Sequence, residues 1–170
     1  DAATGSVAID ASGNGRHGFL TAGTQWNAGP ALTFDGVDDH VDAGSFDLTG
    51  SALTLAAWAW SEDLANCSAN DCRLLSKATG TAEDDHDFML STIQDGAETR
   101  LRFRLKTGGS TTTLIATSGA LPEDQWVHAA AVYDGSTMEL FLDGVSVGST
   151  AKAGALNQNP SVPVWIGGNP

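Results

Sequence analysis

Apolar and polar positions alternate with a period of two through much of this chain, and turn-forming pairs interrupt the alternation at short intervals. Two apolar runs, Val127–Tyr133 and residues 138–142, are each closed by Asp-Gly, at Asp134-Gly135 and Asp143-Gly144. Asp-Gly reaches positive φ angles easily, so this spacing predicts successive β-hairpins. In the second run Met138, Leu140 and Leu142 alternate with Glu139, Phe141 and Asp143, which predicts one face on a core. Residues 53–60, 73–77, 88–93, 111–117 and 162–166 read as further strands, with shorter apolar pieces at residues 7–9 and 19–20. Between Asp95-Gly96 and Gly108-Gly109, Leu101, Phe103 and Leu105 are predicted to point inward and Arg100, Arg102, Arg104 and Lys106 outward. No segment carries a helical stripe longer than about two turns. The pattern predicts an all-β sandwich.

Composition narrows the function. A chain of 170 residues with 41% hydrophobic positions suits one domain, 1–170, with a core of its own. Eight Lys+Arg against 21 Asp+Glu give a net charge of −13. That balance opposes nucleic-acid backbones and anionic membrane surfaces, both of which select clustered cations. No run approaches the ~20 apolar residues of a membrane span, and no signal-like segment opens the chain, which reads as a mature or excised piece. Cys67 and Cys72 stand alone in a polar stretch with no second Cys/His pair at metal spacing. A local disulfide is expected, hence an oxidising, secreted or cell-surface location. Closing so short a loop adds only about 2 kcal/mol, enough to staple a loop.

Several stretches carry candidate chemistry. Gly13 to Gly18 is a literal G-x-G-x-x-G, but no helical pattern follows it, so a glycine turn explains it better than a dinucleotide site. Asp35, Asp38, Asp39 and Asp42 admit two readings, an oxygen-ligand calcium site or Asx-type capping of a turn, and the residues alone favour capping. The four cations of residues 100–106 also admit two: a stripe for a carboxylated or sulfated glycan, or cross-strand pairs with Glu139, Asp143 or Glu98. The residues favour pairing. Of the tryptophans, Trp58 and Trp165 are expected in the core as mid-strand residues, whereas Trp26, Trp60 and Trp126 fall in or beside loops.

The ordered set of segments 10–18, 31–41, 53–58, 121–128, 132–135, 140–144 and 165–168 resembles the laminin-G-like domains of the concanavalin A-like lectin/glucanase superfamily. The resemblance implies a jelly-roll sandwich of two antiparallel sheets, one concave and one convex. It also implies a glycan- or protein-binding module of a larger secreted or surface protein. Calcium is the cofactor it implies, with Asp10, Asn14, Asp35 and Asp38 as the candidate ligands. The family's usual first and last strands are absent, so the sequence is expected to be an excerpt of a longer chain.

Catalysis is not expected. Retaining glycanases set two carboxylates about 5 Å apart, but no same-face Glu pair or Gly-x-Ser-x-Gly motif occurs. A carbohydrate-binding or adhesion module is the leading expectation. Its ligand would meet Trp60 and Trp126 together with the acidic loop residues Asp84, Asp85, His86 and Asp87. The alternative is a protein-interaction or spacer module without a glycan ligand. An exposed aromatic pair at the rim would favour the first, and buried tryptophans the second.

Overall fold

A computed structural model of the chain describes residues 5–64 and 71–170. Its strands are β1 (Val7–Ala8), β2 (Gly18–Thr21), β3 (Gln25–Trp26), β4 (Leu32–Thr33), β5 (His40–Ser45), β6 (Leu53–Ala59) and β7 (Arg73–Ala78). They continue as β8 (His86–Asp95), β9 (Glu98–Thr107), β10 (Ser110–Ile115), β11 (Val127–Tyr133), β12 (Thr137–Leu142), β13 (Val145–Ala151) and β14 (Pro163–Ile166). Eight form one antiparallel sheet in the order β1-β2-β5-β14-β7-β8-β9-β10, and four form a second in the order β13-β12-β11-β6. A small β3-β4 ribbon lies apart from both. The architecture is the all-β sandwich that the periodicity predicted, in the jelly-roll form that the resemblance implied.

The core lies between the sheets and follows strand parity. Leu101, Phe103 and Leu105 of β9 meet Leu53 and Leu55 of β6, Ala129 and Ala131 of β11, and Met138 and Leu140 of β12. The alternation predicted for residues 100–106 therefore holds. Both hairpin turns also form where expected. At Asp143-Gly144 both residues take positive φ, 50° and 78°, the type I′ combination that matches strand twist. At Asp134 the carboxylate accepts the Ser136 and Thr137 amides, each at 2.8 Å, an Asx-type closure.

One buried cation ties loops to the larger sheet. Lys77 projects from β7 with 1% of its surface exposed. Its ammonium donates to the carbonyls of Phe46, Asn159 and Val162, each at 2.8 Å, and lies 3.2 Å from Asp47 Oδ1. All three protons are used, as burial of an ammonium requires.

Two tryptophan expectations are corrected. Trp58 is 65% exposed, because Leu53 and Leu55 set the inward parity of β6 and so turn residue 58 to solvent. Trp165 likewise lies on the outer face of its sheet, where it stacks on His40 at 3.6 Å between ring centroids, while its neighbour Val164 enters the core.

Candidate functional site

The smaller sheet presents an aromatic surface built by strand register. β6 and β11 pair antiparallel with His128 opposite Trp58 and Val127 opposite Ala59. One step further along the same register, Trp126 faces Trp60. All four side chains share a parity and therefore a face, the one turned away from the core. The Trp60 and Trp126 rings meet edge to face at 6.0 Å, and Trp58 meets His128 at 5.3 Å. Trp60 and Trp126 are 46% and 48% exposed. Three tryptophan rings stay exposed, with half-buried His128 against Trp58, although water disfavours that arrangement.

The loops beside this surface are braced. The Asp124 amide donates to the Ser61 carbonyl at 2.9 Å, and Glu123 Oε1 accepts the Leu64 amide at 2.9 Å. Asp124 holds a left-handed φ of 58°, two residues before Trp126. Such a conformation persists only where the surroundings enforce it, so the bracing fixes the approach of Trp126 to Trp60. Glu62, Asp63, Glu123 and Asp124 give the rim an acidic character. A rim of that sign disfavours anionic ligands and leaves the rings to neutral, hydroxyl-rich ones.

The remaining predicted ligand residues are elsewhere. Asp84 and Asp85 lie in an exposed 3-10 turn, Glu83–Asp85, and Asp85 caps the Ala82 amide at 2.9 Å. His86 and Asp87 are not loop residues: they open β8 and are 0% and 5% exposed. Asp87 accepts from the Asn157 amide nitrogen at 2.6 Å, which occupies it structurally. Leu64 and Glu123 line a shallow depression with the Gln94–Thr99 hairpin region, at the far end of the strand that His86 begins. Eight residues of strand separate His86 from Gln94, about 26 Å. The acidic loop and the tryptophan pair are thus not one site.

A second cluster forms at the turn before β5. Ligand-type oxygens of Asp35, Asp38 and Asp39 lie within 4.8 Å of one another. Asp35 Oδ1 accepts the amides of Val37, Asp38 and Asp39, so the capping predicted from sequence is present. Those bonds hold the Asp35 carboxyl below its ordinary pKa, the Val37 amide most of all. Capping leaves part of the cluster unspent. Asp39 is 8% exposed and its Oδ2 accepts the Asp35 amide at 3.0 Å, while its buried Oδ1 has no partner. An all-oxygen donor set with an orphaned buried carboxylate oxygen fits a hard cation such as calcium.

Asp10 belongs to no such group among the described residues. Its two oxygens accept the Ser12 and Arg16 amides at 2.7 and 2.9 Å, and the Asn14 side chain donates to the Ser12 hydroxyl at 2.9 Å. These residues close the glycine turn on itself. Asp39 and Asp42 were weighed with Asp35 and Asp38 as an oxygen-ligand set from sequence; the structure brings Asp39 into the cluster, while Asp42 Oδ1 accepts the Gly44 amide at 2.8 Å. The predicted disulfide reaches outside the described residues at Cys67. Cys72 sits beside β8, its amide donating to Thr92 Oγ1 at 3.1 Å.

Residues 35–170 match the family described as the concanavalin A-like lectin/glucanases superfamily, in its laminin G-like branch, and the chain belongs to that family. It is 32% identical over 128 residues to pappalysin-1 of Mus musculus, covering 72% of this chain and 8% of that protein. The chain therefore spans about a twelfth of the length of the curated relative. Among solved structures it resembles domain 4 of AbnA, an extracellular arabinanase of Geobacillus stearothermophilus in complex with arabinotriose. There the TM-score is 0.55 at 16% identity, covering 98% of this chain and 68% of the other. It also resembles domains LG4-5 of the mouse laminin α1 chain, with a TM-score of 0.53 at 19% identity over 74% of this chain and 30% of that one. At those identities the likeness concerns the fold. No helix among the described residues is long and apolar enough to cross a membrane.

Proposed function

We propose that this chain is a non-catalytic carbohydrate-binding or adhesion module, a single domain of a larger secreted or surface protein. The observation that carries the reading is the exposed Trp60–Trp126 pair, extended by Trp58 and His128 on the same sheet face. Sugar rings present C–H faces that pack on aromatic surfaces, and a rigid strand pair holds those surfaces without an ordering cost at binding. The acidic rim selects neutral sugars. In support, a domain of like fold is known in complex with arabinotriose, which makes that trisaccharide a suitable first probe.

Asp35, Asp38 and Asp39 would hold a calcium ion in this reading, with a role in fixing the turn before β5. No step of sugar binding at the tryptophan face runs through it. Cys67 and Cys72 would be disulfide-linked beside β7. The test is a glycan array, supplemented with arabinotriose, run with and without EDTA. Retention of neutral glycans in both conditions is the expected result, and binding to none sinks the lectin reading. The aromatic face would then serve as a contact to a protein or to a neighbouring domain, as suits a chain that matches a small part of a long relative.

A further inference from the structure

The outer face of the larger sheet carries a set of polar groups that the proposed sugar platform does not use. By register, Thr113, Arg104, Met89, Ser76 and Trp165 form one row across β10, β9, β8, β7 and β14, and Arg102, Ser91 and Arg73 lie in the next. This is the cationic stripe visible in the sequence, and most of it is paired. Arg100 meets Glu98 at 2.6 Å and Asp95 at 3.3 Å, while Asp71 bridges Arg102 and Arg73. Glu139 and Asp143, the other expected partners, lie on the opposite sheet, where they bond Ser146 Oγ and the His128 amide. Lys106 donates to the Asp84 carbonyl.

Arg104 is the exception. Among the described residues no carboxylate lies within ion-pair distance of it, and Glu83 is held by the Thr113 hydroxyl at 2.7 Å. Its one polar contact is Nη1 to His86 Nδ1 at 3.3 Å. That contact cannot be a good hydrogen bond. The same Nδ1 lies 2.8 Å from the Ala82 carbonyl, which only accepts, so Nδ1 carries the proton and has no lone pair for Arg104. The tautomer leaves His86 Nε2 as a bare acceptor. This nitrogen is buried and unpartnered in a residue 0% exposed, as are Nε of Arg104, Nε of Arg73 and Nε1 of Trp165 on the same face. Burial and the neighbouring Arg102 both disfavour the charge on Arg104, the condition that a bound anion relieves.

We propose that this face is a second binding site, for an acidic sugar unit whose carboxylate or sulfate ester seats on the half-buried Arg104 guanidinium, with Arg73 beside it. Arginine presents a planar fork to such oxyanions, and the buried neutral His86 beside it leaves the guanidinium without a competing carboxylate. The carboxylate and sulfate forms share this chemistry and differ only in the probe that reveals them. The site is on the opposite sheet from the tryptophan face and stands or falls independently of it.

The test is a two-dimensional NMR titration of the intact 170-residue chain with a glucuronate-containing hexasaccharide and, separately, a sulfated hexasaccharide, at low and high salt. One probe is expected to shift amides of Met89, Ser91 and Arg104, with affinity falling as salt rises. Arg104→Gln should weaken that binding by tenfold or more, while Trp60→Ala leaves it within twofold. Should Arg104→Gln fold poorly, the wild-type shift map decides alone. Silence of the β8–β9 amides to both probes at millimolar concentration overturns the proposal, as does unchanged affinity in a folded Arg104→Gln. Neutral-glycan binding lost only in Trp60→Ala, together with silence of the β8–β9 amides to both acidic probes, would leave the first site standing without the second.

Discussion

Lys77→Met keeps the aliphatic stem of a fully buried residue and deletes only its ammonium, and the structure allows the consequence to be worked out. Three carbonyls at 2.8 Å, from Phe46, Asn159 and Val162, lose their donor. Asp47 keeps one bond, from the Asn159 amide at 2.9 Å, but loses its counter-charge at 3.2 Å. Breaking a buried charge pair on one side costs about 3–5 kcal/mol, and orphaned carbonyls lie within the same range. For a domain of this size that corresponds to a fall in Tm of roughly 10 °C. Adding Asp47→Asn removes the stranded charge and should restore about 1–2 kcal/mol, a coupling that urea unfolding of the four proteins reads directly. A loss below about 1 kcal/mol in Lys77→Met, or strict additivity in the double variant, would refute the role assigned to this lysine.

Other consequences follow from the turns and the acidic clusters. Gly144→Ala should cost about 1–2 kcal/mol in urea unfolding, since φ of 78° strains a residue with a Cβ although nothing crowds the position. Asp10 is held at a pKa of about 2, below its ordinary 3.8, by hydrogen bonds from the Ser12 side chain and from the Arg16 and Ser12 amides. Its folded pKa is lowered, so its stabilising effect is present above about pH 3.8 and fades as pH falls towards 2. Melting curves of Asp10→Ala and wild type should therefore differ at neutral pH and converge in acid; a constant gap argues against the assignment. Millimolar calcium should raise the Tm of the wild type and leave Asp39→Asn unmoved, because ligand binding stabilises only the state that binds.

Much of the fold was legible because its signals are local. Asp-Gly and Gly-Gly pairs set hairpins through backbone φ alone, and the Leu101, Phe103, Leu105 alternation reveals a strand with one buried face. The same parity rule, applied to Leu53 and Leu55, assigns Trp58 to solvent; treating it as a mid-strand filler overlooked that count. His86 and Asp87 were hidden within a charged run that reads as loop, and their burial comes from partners such as Asn157, 70 positions away. Lys77 left no mark in the sequence at all. Its cage is assembled from residues 31, 82 and 85 positions distant, which no local pattern encodes. The Trp60–Trp126 pair falls between these cases: each residue was suspected by position, but their meeting required the β6–β11 register.

The central claim is that this register builds a sugar-binding surface, and tryptophan fluorescence tests it most directly. A panel of neutral oligosaccharides titrated into the wild type should perturb the emission, because three of the five tryptophans form the exposed surface. Trp60→Ala and Trp126→Ala should each weaken the best ligand by about 2 kcal/mol, close to thirtyfold, without a matching loss of Tm. Equal affinity in folded variants, or no response to any neutral sugar at millimolar concentration, would contradict the account.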